Sequence, residues 1–550
     1  MSSNTLNIDL PLLPAGDPAG RFWRWATRLL AVGVLIPLVV ISAAWLTVDP
    51  EIWQHLFSTV LPGLIANTVI LVAGVSVGTV LLGVSLAWLT ALCDFPGRRW
   101  LDWALMLPFA VPAYVLAFVF LGAMDFAGPI QSGIRELFGL PGNWSVEIRN
   151  AGGVILVMTL VLYPYVYMLA RVAFLGQGQS AFEAARGLGL NPWQAFLRVS
   201  LPMARPGIIA GLSLALMEAL ADFGAMAVFN YDTFTTAIYK AWFGFFDLNS
   251  AAQLASLLLG IVLIALVAER HFRARARFAE TGRGGRARRF KLTGWKALAA
   301  SGYAGLIFLL AFAAPVLQLL LWALESVAHL DSRYWDLLLH TFMLGSSAAV
   351  VTVGGAFVLA FSRKYYPDPL TRLGVRVGTL GYALPGSVLA VGVMISLTWI
   401  DQRIADAWLA LTGHEPGLLF GGTVVGLLLA YFARFLAVAF GPVEAALERI
   451  RPSIRDAARS LGAGQWELVR RIYLPMLRPG LFTAALLVLV DTMKEMPGTL
   501  LLRPFGWDTL AVRIYELTSE GEWQRAALPA IALVLVGLLP VILLVRKSAR

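Results

Sequence analysis

The chain has 550 residues, 59% of them hydrophobic and only 14% charged, where an ordinary globular protein is about half apolar and a quarter charged. A mean hydropathy of +0.74 sustained over this length excludes a soluble enzyme and requires many membrane spans. The formal net charge of +10 would suggest nucleic acid as partner in a soluble protein, but membrane proteins concentrate Lys and Arg on cytoplasmic loops, so the position of the charge decides.

Residues 1–28 hold Pro11, Pro14, Gly16 and Pro18, then Arg21, Arg24 and Arg28, and the uncharged run from Leu29 to Val48 follows. A bilayer core of about 30 Å takes roughly 20 apolar residues per helix. The run is long enough to span, and too long for the core of a cleavable signal peptide, which predicts a retained first span with the tail inside. Runs near 60–92, 101–124, 151–170, 207–229 and 251–268 complete a set of six. A second set lies near 297–324, 338–361, 377–400, 418–440, 480–500 and 526–545, with Pro108, Pro112 and Pro385 interrupting spans 3 and 9. Cys93 is the single cysteine, so no internal disulfide forms.

Alternating the loops from an inside N-terminus places most of the 43 Lys and Arg on the cytoplasmic face. Residues 269–296 alone carry ten of them against Glu269 and Glu280. The basic balance therefore reads as topology and contact with anionic lipid, not nucleic acid. The predicted organisation is an all-α polytopic membrane protein of twelve helices: a tail over 1–28, a first half over 29–268, a basic linker over 269–296 and a second half over 297–550.

The halves are a parallel repeat. Residues 183–207 read EAARGLGLNPWQAFLRVSLPMARPG and residues 456–480 read DAARSLGAGQWELVRRIYLPMLRPG, with 13 of 25 positions identical and no gap. The same offset of 273 aligns Thr68 with Thr341, Pro112-Ala113 with Pro385-Gly386, and Val115-Leu116-Ala117 with Val388-Leu389-Ala390. Six spans per half keep both copies in one orientation, as in transporters with parallel repeats. In each loop an acid, Glu183 or Asp456, opens a short helix where a helix N-terminus favours negative charge. Ala184 and Ala185, or Ala457 and Ala458, continue it, and Gly189 or Gly462 allows a sharp turn. An amphipathic stretch with Trp193, Phe196 and Leu197, or Trp466, Leu468 and Val469, is expected to end at Leu201-Pro202 and Leu474-Pro475.

Four intramembrane acids follow from the same offset. Glu218 and Asp222 in span 5 correspond to Asp491 and Glu495 in span 11. The i, i+4 spacing predicts both carboxylates on one helix face, and eleven residues from Gly207 or Gly480 is roughly 16 Å into the bilayer. Acids at that depth are costly and usually face a cavity or a partner, which predicts a pathway lined by oxygen ligands suited to a hard cation. Lys494 is a candidate partner for Asp491, and Pro497 is expected to break span 11 where Gly224 stands in span 5.

The two loops resemble the EAA loop of permease subunits in ATP-binding-cassette importers. The resemblance implies a fused permease of the type I importer fold, in which each loop docks in a groove of a cytoplasmic ATPase. Glu183, Ala184, Ala185, Gly189, Trp193, Phe196 and Pro202, with Asp456, Ala457, Ala458, Gly462, Trp466, Val469 and Pro475, would then couple ATP hydrolysis to the spans. Two ATPase copies and a periplasmic binding protein are the implied partners, and the bacterial inner membrane the implied location, with both termini cytoplasmic. The chain would bind no cofactor itself, since ATP and Mg belong to the ATPase: none of its six lysines follows a glycine, so no Walker loop is present.

The segments MEALADFGAMAVFNYDTFTTAIYKAW (217–242) and VDTMKEMPGTLLLRPFGWDTLAVRIY (490–515) are similar to those of fused ferric iron permeases. On that resemblance Glu218, Asp222, Asp491 and Glu495 would contact Fe³⁺ transiently, with fused permeases for thiamine or polyamines as the alternative. An ion-coupled secondary transporter would have no reason to duplicate the loop. A membrane enzyme would need a catalytic cluster, and His55, His271, His329, His340 and His414 are scattered.

Overall fold

The computed structural model describes residues 18–176, 185, 187–275, 289–327, 332–381, 384–414, 417 and 419–548. Among these, eleven helices are long and apolar enough to cross a membrane, and a bent pair supplies a twelfth. In chain order the spans are Gly20–Leu46, Pro50–Leu92, the pair Arg98–Ala110 and Ala113–Ala123, Ala151–Gly176, Trp193–Ala221, Leu248–Glu269, Trp295–Ser326, Arg333–Tyr365, Gly386–Thr412, Val424–Glu448, Gln465–Lys494 and Trp523–Ile542. They are called spans 1 to 12 below.

Several boundaries move for identifiable reasons. Span 3 bends by 94° where Pro112 leaves the helical region and caps the next helix, and Pro385 does the same before span 9, which therefore begins at 386. The amphipathic stretches of the duplicated loops do not end at Pro202 and Pro475 as expected but run on as the first part of spans 5 and 11. A wide turn over Phe196–Ser200 or Val469–Tyr473 precedes each proline and the helix continues through it. A proline lacks the N–H that an ordinary turn would use, and one extra residue in the turn accommodates that loss.

The chain packs as two compact units that cut across the sequential halves. The first unit joins span 1 to spans 8–11. Its anchor is Trp23, 2% exposed, whose ring meets Phe361 at 4.5 Å and Phe357 at 5.9 Å while its carbonyl accepts the Ser362 hydroxyl at 3.0 Å. Arg28 pairs with Asp368 at 3.1 Å, and Asp368 also caps the helix Pro369–Gly378. Burial alone would raise the Asp368 carboxyl, but the neighbouring Thr371 side chain, the Thr371 N–H that donates to it at 3.1 Å, and Arg28 outweigh it and hold it below the usual range. A depressed carboxylate stabilises the fold above its unfolded pKa and loses that contribution as pH falls through its folded value. Asp368→Asn is therefore expected to lower the unfolding temperature near pH 7, with the gap to the parent closing as pH falls below about 4; thermal scans in detergent across that range check it.

The second unit holds spans 2–7 and 12. Spans 2 and 4 touch along small residues: a Cβ on Gly78 would press on Thr159, and one on Gly83 would lie 2.6 Å from the Cβ of Val166 and 2.9 Å from the backbone N of Tyr167. Close backbone approach of this kind drives helix association where no water is expelled. Phe118 of span 3 stacks between Trp322 of span 7 and Trp523 of span 12, both at 6.4 Å. The end of the basic linker is pinned here too. Phe290 and Lys291 pair in parallel with Cys93 and Asp94, and Leu292 N donates to the Asp94 carbonyl at 2.9 Å. Cys93 is buried, and burial pushes its thiol up to about 12, which leaves it inert.

Candidate coupling loops and intramembrane acids

In the second duplicated loop the helix begins at Pro452, not at Asp456, because proline suits its first turn, so Asp456 stands in the second turn of Pro452–Ser460, where it and Ala457 are exposed and Ala458 is buried. Gly462 then adopts φ +85°, and the N–H groups of Gly462 and Ala463 close the helix on the carbonyls of Arg459 and Ala458 at 2.9 and 3.0 Å. This is a left-handed C-terminal cap, which glycine makes without steric cost. The turn leaves Leu461 90% exposed. In the first loop Glu183 and Ala184 lie outside the described residues. Ala185 is buried, Gly189 has the same φ of +85°, and Leu188 is 84% exposed.

After the turn, Trp193 and Trp466 are mostly exposed, whereas Phe196 and Val469 are buried. Phe196 meets Trp88 at 5.2 Å and Phe174 at 6.2 Å, so it anchors the loop to spans 2 and 4. The outward face consists of the leucine and tryptophan. Sequence reading missed Leu188 and Leu461; their signal was the Leu-Gly step that both copies share. Trp466 also packs edge-on to Phe22 at 5.3 Å and lies 5.7 Å from Trp23, which ties the second loop to the start of span 1. Gln465 extends this tie, donating to the Tyr366 hydroxyl at 2.8 Å and accepting from Arg459 at 3.0 Å.

The acids divide by position within each pair. Glu218 and Asp491 sit half-buried within helices, and Lys494 is in electrostatic reach of Asp491. Asp222 and Glu495 do not continue those helices. Both are extended, with ψ of 124° and 115°, and each stands just past the helix end, at Ala221 and Lys494. The break thus falls two residues before Gly224 and Pro497, and the shared helix face expected from the i, i+4 spacing is lost at the second acid. Each carboxylate instead caps the short helix that follows: Asp222 accepts from Ala225 N at 2.8 Å, and Glu495 from Gly498 N at 2.9 Å. Glu495 additionally pairs with Arg434 of span 10 at 3.2 Å, a partner that sequence reading did not assign. Among the described residues no three His, Cys, Asp or Glu side chains gather closely enough to hold a metal ion.

Twelve spans built from a duplicated unit, each copy with an Ala-Ala…Leu-Gly loop running into a broken helix, define the membrane permease of an ATP-binding-cassette importer. The chain belongs to the family described as binding-protein-dependent transport system inner membrane component, whose sequence profile matches it twice, over residues 79–277 and 353–550. It is 28% identical over 498 residues to the Fe(3+)-transport system permease protein FbpB 2 of Haemophilus influenzae, covering 89% of this chain and 91% of that one. It is 30% identical over 191 residues to the molybdenum transport system permease protein ModB of Escherichia coli K12, covering 34% of this chain and 81% of ModB. A putative 2-aminoethylphosphonate transport system permease protein, PhnV of Salmonella typhimurium, is 28% identical over 221 residues, or 40% and 77% of the two chains.

Proposed function

We propose that this permease carries ferric iron, delivered by a periplasmic binding protein, past the intramembrane acids of each half, Glu218 and Asp222 in the first and Asp491 in the second, Glu495 of the expected four being engaged by Arg434, with two cytoplasmic ATPase subunits docked under residues 183–207 and 456–480. The observation that carries the iron reading is the match to a ferric iron permease across both halves, whereas the molybdenum and aminoethylphosphonate relatives match a single half's length. The chemistry agrees: three carboxylates at depth suit a hard cation and oppose an oxyanion. The docking reading rests on the two exposed Leu-Gly turns, which have one geometry in both copies. The excess of Lys and Arg in residues 269–296 supports a cytoplasmic linker and, with an even number of spans, cytoplasmic termini.

The test is uptake by proteoliposomes containing the permease with its ATPase and binding protein. ATP-dependent entry of radiolabelled Fe³⁺ that exceeds entry of molybdate, 2-aminoethylphosphonate and thiamine by about tenfold or more would support the reading, that factor being about 1.4 kcal/mol of discrimination. Preference for any of the other three would overturn it. Within the iron reading, Glu218→Gln with Asp491→Asn is expected to reduce Fe³⁺ entry about tenfold or more while the complex still hydrolyses ATP, because removing two charges weakens cation stabilisation without touching the loops.

A further inference from the structure

Glu495 lies where three spans meet. Its Oε1 is 3.2 Å from Nη1 of Arg434 in span 10 and accepts the Gly498 N–H at 2.9 Å. The side chains of Glu495 and Arg434 are only 2% and 15% exposed. Gly386, the first residue of span 9, sits against the pair, and a Cβ there would run into both Nη1 of Arg434 and Oε1 of Glu495. A Cβ on Gly498 would stand 3.1 Å from Oε1. One buried ion pair therefore touches spans 9, 10 and 11 at the point where span 11 breaks.

The internal repeat supplies a control within the same chain. At the offset of 273, Gly386, Arg434, Glu495 and Gly498 correspond to Ala113, Val161, Asp222 and Ala225. All four differ, and they differ in concert. Asp222 makes the same cap to the third residue on, with a side chain one methylene shorter. The arginine position is a valine there, and both glycine positions carry the methyl group that the second half lacks. The longer acid, the added cation and the two missing methyl groups form a matched set, in which the glycines clear the space the ion pair fills. A buried pair loses its balance when one partner is removed, because the remaining charge is left uncompensated at membrane depth.

We infer that the Arg434–Glu495 pair is a lock that fixes the break of span 11, so that both are positioning residues and Glu495 is not a cargo ligand. The two halves then hold one helix break by different means: a carboxylate cap in the first, and a cap tied across spans 9 and 10 in the second. The transport part of this inference rests on the permease reading, but not on which cargo is carried.

The experiment compares Glu495→Gln, Arg434→Met and the double variant E495Q/R434M in the full chain. Hydrogen exchange of backbone amides over 496–502 is measured in nanodiscs, and Fe³⁺ uptake with its KM in proteoliposomes that include the ATPase and binding protein. Each single variant is expected to speed exchange and to lower uptake by about tenfold or more, because each strands one buried charge. The double variant is expected to return within about threefold of the parent in both, with KM unchanged, since removing both partners of a buried pair is tolerated far better than removing one. Uptake in the double variant no better than in Glu495→Gln, with exchange restored, would make Glu495 a cargo ligand and overturn its assignment as a positioning residue, whereas exchange that no variant changes would overturn the lock. Should the single variants fail to fold, G386A/R434V/E495D/G498A, which reproduces the first-half set, is expected to fold, whereas Gly386→Ala alone should lower the yield of folded protein severalfold. The reverse order would overturn the inference. The exchange arm needs no cargo, so it decides the lock even if the parent takes up no iron.

Discussion

Gly462→Val is expected to lower ATP-driven uptake by about tenfold or more while leaving the permease folded. Gly462 sits at φ +85°, in the left-handed region where a side chain costs about 1–2 kcal/mol and a β-branched one more. The cost falls on a short exposed turn, so the spans survive and the turn rearranges. What the turn sets is the direction of Leu461, 90% exposed one residue before it, together with the closure of Pro452–Ser460 by the N–H groups of Gly462 and Ala463. In the proposed mechanism this knob carries ATPase closure to Gln465–Lys494, which runs from the loop into the membrane as one helix. Loss of its direction should leave ATP hydrolysis running without transport. Gly462→Asn is the control: asparagine tolerates the left-handed region and is expected to keep at least about half of parental uptake. Uptake and ATPase rates in the same proteoliposomes check both variants, and uptake by Gly462→Val within twofold of the parent would remove the turn from the transmission path. Gly189→Val should act in the same direction through Leu188.

The spans and the repeat were legible because they rest on composition and identity, which survive without knowledge of tertiary contacts. The glycine turns were legible for the same reason, since a left-handed cap selects one residue type. The partners of particular side chains were not. Phe196 and Val469 looked like members of an outward amphipathic face, but a loop that runs into its own span must bury a residue at the joint, and these are the ones. Asp222 and Glu495 looked like continuations of helices because i, i+4 spacing assumes that the helix persists. A carboxylate that caps the following helix ends the preceding one, so the same residue creates the break that removes it from the shared face. Arg434 is 61 residues from Glu495 in sequence, and no local spacing joins the two. The attachment of span 1 to spans 8–11 through Trp23 and Arg28 lies wholly in packing, and no local pattern encodes it.

Gly83→Leu is expected to abolish accumulation of folded protein, the largest stability effect at any single position considered. Span 4 passes between two glycines. A Cβ on Gly83 of span 2 would come within 2.6 Å of the Val166 Cβ and 2.9 Å of the Tyr167 backbone N, and one on Gly211 of span 5 within 2.7 Å of the Val166 Cα. Overpacking a core with side-chain neighbours costs about 1–3 kcal/mol, but backbone cannot rotate away, so the helices themselves must separate. Separation would also strip the polar ties made just beyond this crossing. The Tyr167 hydroxyl lies 3.1 Å from the Thr90 hydroxyl of span 2 and 2.9 Å from the Asp102 carbonyl of span 3, and Arg171 grips the Asp102 carboxylate at 2.5 and 2.6 Å, so moving span 4 off span 2 breaks the first and strains the others. In a membrane these groups find no water to replace the lost partners. Gly63→Leu in the same span isolates the cause, because a Cβ on Gly63 meets nothing within 4 Å and leucine is the better helix former. Monodisperse yield after detergent extraction should be near parental for Gly63→Leu and below about a tenth of it for Gly83→Leu, a loss in the range of an overpacked core. Equal yields would mean that spans 2 and 4 are held together by something other than close backbone approach, and the polar ties around Asp102 would then have to carry the unit.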